Sequence, residues 1–239
     1  FAEPRLVLFK SLYLSGGLRF DESSVYKQVL TPRAGISYNL KKQIIRLSYS
    51  EEFRASKPWD YTDGIGNENL LPEKLRALEL AFSFNVKDKV RIDVVGYRNY
   101  MLHSILKELT DTLGNYRWAN SGHIDTYGLE FSLRFELWKF KTDLNYTYTQ
   151  SEDEPGNFVN EISRHTGNVS LTYSINDNFK INLHASYVGK RENPQLISAT
   201  NSYFVDPYFV LHGAITLLNF KGIAAQISVK NILNSKYYH

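Results

Sequence analysis

Apolar and polar residues alternate in a succession of segments between Arg33 and Lys230. Because successive side chains of a β-strand point to opposite faces, this alternation predicts strands with one apolar and one polar face. In the clearest segment, residues 127–135, five apolar side chains are interleaved with small, polar or charged ones. The pattern breaks at residues 94–97, which suggests a β-bulge at Gly96. Elsewhere it recurs at residues 78–84, 144–148, 169–173, 179–187 and 223–229.

The alternation divides the chain into about twelve predicted strands, at roughly residues 2–8, 12–20, 33–39, 43–53, 74–85, 90–103, 116–136, 140–150, 165–175, 179–188, 208–218 and 223–231. The connections alternate strictly between short and long. The short ones are rich in Asn, Asp, Lys or Gly and read as hairpin turns, at residues 9–11, 39–42, 85–88, 137–139, 176–178 and 219–222. The long ones lie at residues 21–32, 54–73, 104–115, 151–164 and 189–207.

Short turns on one side and long loops on the other are typical of transmembrane β-barrels of the bacterial outer membrane, whose long loops face outside. The sequence therefore predicts an all-β protein, an antiparallel transmembrane barrel in contact with outer-membrane lipid. Trp59, Trp118 and Pro155 are expected at the outer end, and the turn at Lys139 at the other.

Composition excludes several alternatives. The chain has 17 Tyr and 14 Phe among 239 residues, no Cys, and a mean hydropathy of −0.35. No apolar run reaches the roughly 20 residues that a transmembrane helix needs, which excludes a helical membrane protein. A net charge of +3 without a basic stripe predicts no nucleic-acid partner. Aromatic residues near strand ends are expected to form an interfacial girdle, at Phe20, Phe53, Tyr97, Tyr100, Tyr148, Tyr187 and Tyr208.

The alternation also assigns the two faces of the barrel wall. The apolar set should face lipid: Leu80, Phe82, Leu129, Phe131, Leu133, Leu171, Ile181, Leu183 and Ile227. The polar set should face the lumen: Glu79, Glu130, Arg134, Asp143, Asn182 and His184.

The two ends of the sequence are expected on the same side of the membrane. If the short turns are periplasmic, the first strand runs down to its turn and the last runs up from its own. A complete single-chain barrel normally has periplasmic ends. We therefore expect residues 1–239 to be a section of a larger barrel, with a closing strand elsewhere.

Several short motifs stand in order at the outer ends of strands. They are Gly-Leu-Arg-Phe-Asp at 17–21, Ser-Tyr-Ser-Glu-Glu-Phe-Arg-Ala-Ser at 48–56, Gly-Asn-Glu-Asn-Leu-Leu-Pro-Glu at 66–73, Tyr-Gly-Leu-Glu at 127–130 and Val-Lys-Asn-Ile-Leu-Asn-Ser-Lys-Tyr-Tyr at 229–238. Together they resemble the C-terminal barrel half of TonB-dependent outer-membrane receptors. Ser56 and Glu68 replace prolines of the family's boxes, which loosens any subfamily assignment.

The resemblance implies a 22-stranded barrel, of which this chain supplies about twelve strands, around an N-terminal plug that the sequence lacks. It implies a receptor that binds a metal chelate, most simply a ferric siderophore, and imports it with energy from the TonB complex, which acts through the absent N-terminal region. Haem or cobalamin is the alternative cargo within the family. No resident cofactor or protein-bound metal is expected.

Two groups of residues are candidate ligand contacts. Arg54, Lys57, Trp59 and Tyr61 fall in one predicted outer loop, and Tyr116, Arg117 and Trp118 follow the next. Guanidinium donors and aromatic rings suit an anionic, aromatic chelate. An interfacial aromatic belt with snorkelling cations explains the same residues equally well. His103 and His123 flank the second loop and are weaker candidates for haem ligands.

Enzymatic and porin functions explain less of the sequence. Glu161, Ser163 and His165 are the only nearby set resembling a hydrolytic triad, and no nucleophile motif surrounds the serine. We therefore predict that the protein is not an enzyme and has no catalytic residues. A general porin or a soluble sandwich would explain the alternation but not the ordered motifs.

Overall fold

Twelve strands form one antiparallel sheet in a computed structural model that describes residues 4–87, 89–111, 113–154, 156, 158, 159, 161–192 and 204–237. Neighbours in the sheet are neighbours in sequence, except where two small hairpins are inserted in long connections. The main strands are β1 Arg5–Leu8, β2 Leu12–Ser23, β3 Lys27–Leu40, β4 Gln43–Arg54, β5 Glu73–Lys87, β6 Val90–Leu102, β9 His123–Leu137, β10 Phe140–Asp153, β11 His165–Ser174, β12 Phe179–Val188, β15 Tyr208–Phe220 and β16 Ile223–Val229.

The inserted elements lie at one end of the sheet. They are helix α1 Pro58–Thr62, the hairpin of β7 Ile105–Leu109 with β8 Tyr116–Asn120, and the short pair β13 Arg191–Glu192 with β14 Phe204–Val205. Because every neighbouring pair is antiparallel, the turn at Lys139 lies at the opposite end from Trp59 and Trp118, as predicted. Pro155 and residues 193–203 of the last long loop lie outside the described residues. No helix in the described ranges is long and apolar enough to cross a membrane.

The predicted loop at residues 21–32 is wrong. β2 and β3 continue through it and meet at a turn of residues 24–26. Pro32 suggested a loop, since proline cannot donate a ladder hydrogen bond. In the structure it pairs with Leu18 of β2 and has no partner on β4, so its other edge needs no donor. Proline is tolerated on such a free strand edge. Likewise, the predicted strand 116–136 is two strands, β8 and β9, and the predicted loop before it contains β7.

The predicted bulge at Gly96 is also wrong. β6 keeps a continuous register with β5 and β9 through Gly96, and the irregularity lies instead between Asn85 and Lys87. The alternation breaks at residues 94–97 because the apolar side chains of Val95 and Tyr97 lie on the polar face. Gly96 itself faces open space.

The two predicted sets of side chains fall on opposite faces of the sheet. Directly paired residues share a face, so Leu80, Leu129 and their partners form apolar rows across the strands. On β9 these rows run from Leu137 to Tyr127. Ten residues of a strand tilted by about 45° rise roughly 25 Å, the usual height of the apolar band of an outer-membrane barrel. The next row outward is mostly charged: Glu51, Arg76, Tyr100, Asp125 and Glu152.

The polar face is cross-linked by ion pairs and hydrogen bonds. Arg46 contacts Glu79 at 2.8 Å, and Arg134 contacts Asp143 at 2.5 Å. Ser170 and Ser186 contact the two ring nitrogens of His184 at 2.8 and 3.1 Å, and Asn182 contacts Thr172 and Thr216 at 3.0 and 3.3 Å. Such a face is compatible with a hydrated lumen.

Two residues assigned to the aromatic girdle lie on this polar face instead. Tyr97 hydrogen-bonds Thr149 at 2.7 Å, its ring passing over Gly128. Tyr208 stacks on Tyr237 with ring centroids 5.2 Å apart. Sequence position near a strand end did not distinguish the two faces.

Candidate functional site

The connection between β4 and β5 is shaped by the short helix α1. Pro58 occupies its first turn, where a missing N–H costs nothing, and the Lys57 N–H donates to Asp60 Oδ2 at 2.8 Å. Asp60 is buried as a result. Lys57 and Trp59 point away from this anchor. The Lys57 ammonium lies 5.2 Å from the centroid of the Trp59 ring, which is 57% exposed.

Arg54 closes the base of the same connection. Its Nε contacts Glu73 Oε2 at 2.5 Å across the β4–β5 pair, and Glu73 Oε1 also accepts the Ile105 N–H at 2.8 Å. Burial alone raises the pKa of Glu73, but hydrogen bonds from Arg54 and Ile105 and the Arg54 charge outweigh it and leave that pKa below its usual value. Glu73 therefore ties the loop base to β7.

Asp63 joins the α1 connection to the β7–β8 hairpin. Its carboxylate accepts the Tyr116 hydroxyl at 2.9 Å and the Trp118 indole N–H at 3.1 Å. The hydrogen bond from Trp118, and to a smaller extent that from Tyr116, hold the pKa of Asp63 below its usual value. The Ile65 N–H donates to the Tyr116 carbonyl at 2.9 Å. Both predicted aromatic contacts on β8 are thus fixed by one carboxylate.

Further contacts continue along the same seam. Asn67 donates to the Trp118 carbonyl at 2.9 Å, and the Asn120 side chain both accepts from and donates to the Leu71 backbone, at 2.7 and 2.8 Å. Gly64 has φ +66° and packs against the Tyr116 carbonyl so closely that a Cβ would overlap it. Residues 54–73, 105–111 and 113–120 therefore form one body, called here the α1–hairpin unit.

The structure brings the two predicted groups into this single unit but gives their members different surroundings. Arg54, Tyr116 and Trp118 are engaged in internal contacts, as described above. Arg117 pairs with Glu108 at 3.1 Å on the other face of the hairpin. Lys57 and Trp59 remain exposed, and the Tyr61 hydroxyl is buried without a hydrogen-bond partner among the described residues. Their binding of a ligand stays a prediction.

Sequence reasoning missed the residues that assemble the unit, namely Asp63, Asn67, Glu73 and Asn120. Each is an acid or amide in a predicted loop or at a strand end, a position where such side chains commonly bond local backbone. Their partners lie up to 55 residues away, and no local signal indicates a contact over that distance.

The remaining candidates form no catalytic or metal-binding cluster. Ser163 Oγ donates to the His165 carbonyl at 2.9 Å, whereas the His165 ring contacts the Tyr146 hydroxyl at 2.7 Å. The serine is therefore not bonded to the imidazole. His123 packs against Tyr100 at 4.9 Å between centroids. Among the described residues, no three His, Asp or Glu side chains are grouped as metal ligands.

Comparison with known proteins identifies the family. Residues 1–232 match the family model described as TonB dependent receptor-like, beta-barrel. The chain belongs to the TonB-dependent receptor family. It is accordingly part of an outer-membrane β-barrel, and its sheet, with β1 and β16 as unpaired edges in the described residues, is a section of such a wall.

The curated relatives that the chain matches have names linked to iron. The chain is 24% identical over 236 residues to the Iron-regulated outer membrane virulence protein of Vibrio cholerae, covering 87% of this chain and 36% of that protein. It is 23% identical over 234 residues to the Ferric enterobactin receptor PirA of Pseudomonas aeruginosa, covering 84% and 31%. The chain thus spans about a third of the length of these relatives.

Solved structures agree on the fold. A ferric enterobactin receptor mutant from Pseudomonas aeruginosa superimposes with a TM-score of 0.84 at 19% identity, over 97% of this chain and 38% of that one. The siderophore receptor PirA from Acinetobacter baumannii gives 0.83 at 19% identity, over 97% and 41%. The predicted all-β barrel section and the predicted family are confirmed.

Proposed function

We propose that this chain is the C-terminal barrel part of a receptor that binds a ferric siderophore at its outer loops and imports it with energy supplied by the TonB complex. The iron chelate is cargo. In this proposal the N-terminal region that precedes the barrel in the family supplies the plug and the contact with TonB.

The observation that carries the proposal is the exposed pair of Lys57 and Trp59, which lies on the surface of the α1–hairpin unit. The contacts of Asp60, Asp63 and Glu73 fix the backbone around the pair, so little ordering entropy is lost when a ligand binds. An ammonium beside an indole face suits a chelate that carries both negative charge and aromatic rings.

The names of the relatives favour a catecholate as the chelate. One curated relative and one structural neighbour are ferric enterobactin receptors, and the neighbour Fiu of E. coli is a ferric-catecholate import receptor. Catecholates present anionic oxygens on aromatic rings, which is the combination that the Lys57 and Trp59 pair can contact.

The test is ferric enterobactin binding by the intact receptor, followed by quenching of tryptophan fluorescence. Trp59→Ala and Lys57→Ala should each weaken binding roughly tenfold or more, as expected for loss of a contact of about 1.5–3 kcal/mol. Trp138→Ala is the matched control, because Trp138 is 91% exposed at the opposite end of the sheet. Binding of haem or cobalamin in preference to any ferric siderophore, or equal affinity in all three variants, would overturn the proposal.

Import is tested separately from binding. Cells carrying the intact receptor should accumulate radiolabelled iron from the chelate only when TonB is present. Uptake at the same rate in a strain lacking TonB would contradict the proposed energy source while leaving the binding result intact.

A further inference from the structure

Six turns of the main sheet lie together at the end opposite the α1–hairpin unit. Five of them carry exposed lysines, called here the basic rim: Lys10, Lys41, Lys42, Lys89, Lys139 and Lys221. In the described part of these turns the acidic residue is Asp177, and Asp88 lies outside the described residues. Positive charge therefore prevails along this end of the sheet.

Most ammonium groups of the basic rim are not paired within the protein. Lys10, Lys41, Lys42 and Lys89 form no hydrogen bond or ion pair with the described residues. Glu136, the carboxylate beside the β9–β10 turn, is already paired with Lys141 at 3.0 Å. The rim is therefore a row of cations that no carboxylate of the described chain neutralises.

Two of the same turns present an aromatic ring at their tip. Phe9 is 88% exposed and Trp138 is 91% exposed. Both have a left-handed backbone, with φ of +51° and +59°, a region that costs bulky residues free energy and that glycine or asparagine enters readily. Large rings thus stand exposed where a small residue would fit the backbone better, which is explained if the rings themselves make a contact outside the protein.

The basic rim begins where the apolar band of the wall ends. The last residues of the lipid face before the turns are apolar and exposed: Leu40, Leu137, Phe140, Phe220 and Ile223. The lysines and the two aromatic tips follow immediately beyond them. Aromatic rings and lysines at the edge of an apolar band are placed at the level of lipid headgroups.

The chemistry and the layout of the rim favour a membrane surface over a protein as its occupant. An ammonium is a point-charge donor to phosphate oxygens, and rows of lysines attract anionic lipids. Neighbouring strands are about 4.8 Å apart, so the five lysine-bearing turns spread over roughly 50 Å along the wall. A headgroup layer surrounds a barrel and reaches all of these turns at once, whereas a docked protein would contact one part of the arc.

We propose that the basic rim binds the phosphate groups of anionic phospholipids in the leaflet next to the short turns, with Phe9 and Trp138 lying among the headgroups. This surface is separate from the Lys57 and Trp59 pair and does not depend on the proposed iron cargo. It gives the barrel wall a preference for anionic lipid at the end away from the long loops.

The experiment measures lipid selectivity of the intact receptor in phosphatidylcholine bilayers. Trace spin-labelled phosphatidylglycerol or phosphatidylcholine is added, and electron paramagnetic resonance reports the fraction of each probe held at the protein surface. The association constant of phosphatidylglycerol should exceed that of phosphatidylcholine by about twofold or more at low salt. The preference should fall in 1 M salt, where charges are screened beyond about 3 Å.

Two triple variants locate the preference. Lys10→Gln, Lys42→Gln and Lys89→Gln together should remove at least half of it, and these side chains make no internal contact whose loss could unfold the barrel. Lys27→Gln, Lys107→Gln and Lys190→Gln together remove the same charge from the opposite end and should leave the preference unchanged. Heat-modifiable gel mobility checks that both variants are folded.

Several results would overturn the proposal. Equal association of the two probes with the parent receptor is one, and it is the result expected if an acidic protein rather than lipid occupies the rim. A preference that persists in 1 M salt, or one that both triple variants reduce equally, would also contradict it. The comparison of probes and the salt dependence need no variant, so they decide the matter even if a variant fails to fold.

Discussion

Gly128 and Gly96 lie on neighbouring strands of the wall but in opposite surroundings. A Cβ on Gly128 would overlap the Tyr148 carbonyl of the next strand and would come within 2.5 Å of the Tyr97 hydroxyl, whereas a Cβ on Gly96 would meet nothing within 4 Å. The Tyr97 ring passes over Gly128 to reach Thr149. Adding one methyl group at each position therefore tests the described packing directly.

Gly128→Ala should destabilise the barrel. Forcing an extra carbon into a filled site costs about 1–3 kcal/mol, and displacing Tyr97 removes its hydrogen bond to Thr149, a further loss of about 1 kcal/mol. Gly96→Ala should be neutral or stabilising by about 0.4–1 kcal/mol, because alanine restricts the unfolded chain and has room in the folded one.

The assay is urea unfolding of the purified intact receptor in detergent, followed by the loss of its heat-modifiable gel mobility. Gly128→Ala should unfold at clearly lower urea than the parent, and Gly96→Ala at the same or higher urea. Equal midpoints for the two variants, or a lower midpoint for Gly96→Ala, would refute the assignment of Tyr97 and Gly128 to a tightly packed polar face.

Three further predictions concern the wall and the α1–hairpin unit. Phe131→Arg should impair assembly of the barrel far more than Ser132→Arg, because an arginine at the lipid midplane costs about 2–4 kcal/mol; similar yields of heat-modifiable protein would contradict the face assignment. Since the pKa of Asp63 is lowered in the folded state, its contribution is complete above the ordinary aspartate value of about 3.9 and is lost as pH falls through the lowered value. The protection of the hairpin amides, corrected for the intrinsic pH dependence of exchange, should therefore fall below about pH 4, and Asp63→Asn should reduce that loss of protection. Glu73→Gln should leave Arg54 without its charged partner and destabilise the loop base by about 1–3 kcal/mol, seen as faster hydrogen exchange at the Ile105 amide. Unchanged exchange at that amide would count against the contacts assigned to Glu73.

The local sequence pattern was sufficient to predict the main strands of the barrel wall and their two faces. The period of two in segments such as 127–135 reports directly which side chains share a face, and the lengths of the connections report which end of the sheet each one occupies, except for the short outer turn between β2 and β3. Both the twelve main strands and the two faces follow from those signals, because neither needs knowledge of distant contacts.

The strand ends and contacts at the outer end of the sheet could not be predicted from the local pattern in the same way. Pro32 signals a break, yet β3 passes through it because its other edge has no partner there. Asp63 is an ordinary loop aspartate in sequence, and only the fold brings Tyr116 and Trp118, more than fifty residues later, onto its carboxylate. Of the residues predicted as ligand contacts from their chemistry alone, some are therefore exposed and others form contacts within the α1–hairpin unit.

The orientation of the sheet in the membrane is the central claim, and single cysteines can report it. The chain has no native cysteine, and Trp59 and Trp138 are exposed at opposite ends of the sheet. In living cells that carry the intact receptor, with any cysteines outside this segment replaced, a membrane-impermeant maleimide should label Trp59→Cys, and should label Trp138→Cys only after the outer membrane is permeabilised. Labelling of Trp138→Cys in intact cells while Trp59→Cys stays protected would contradict the account.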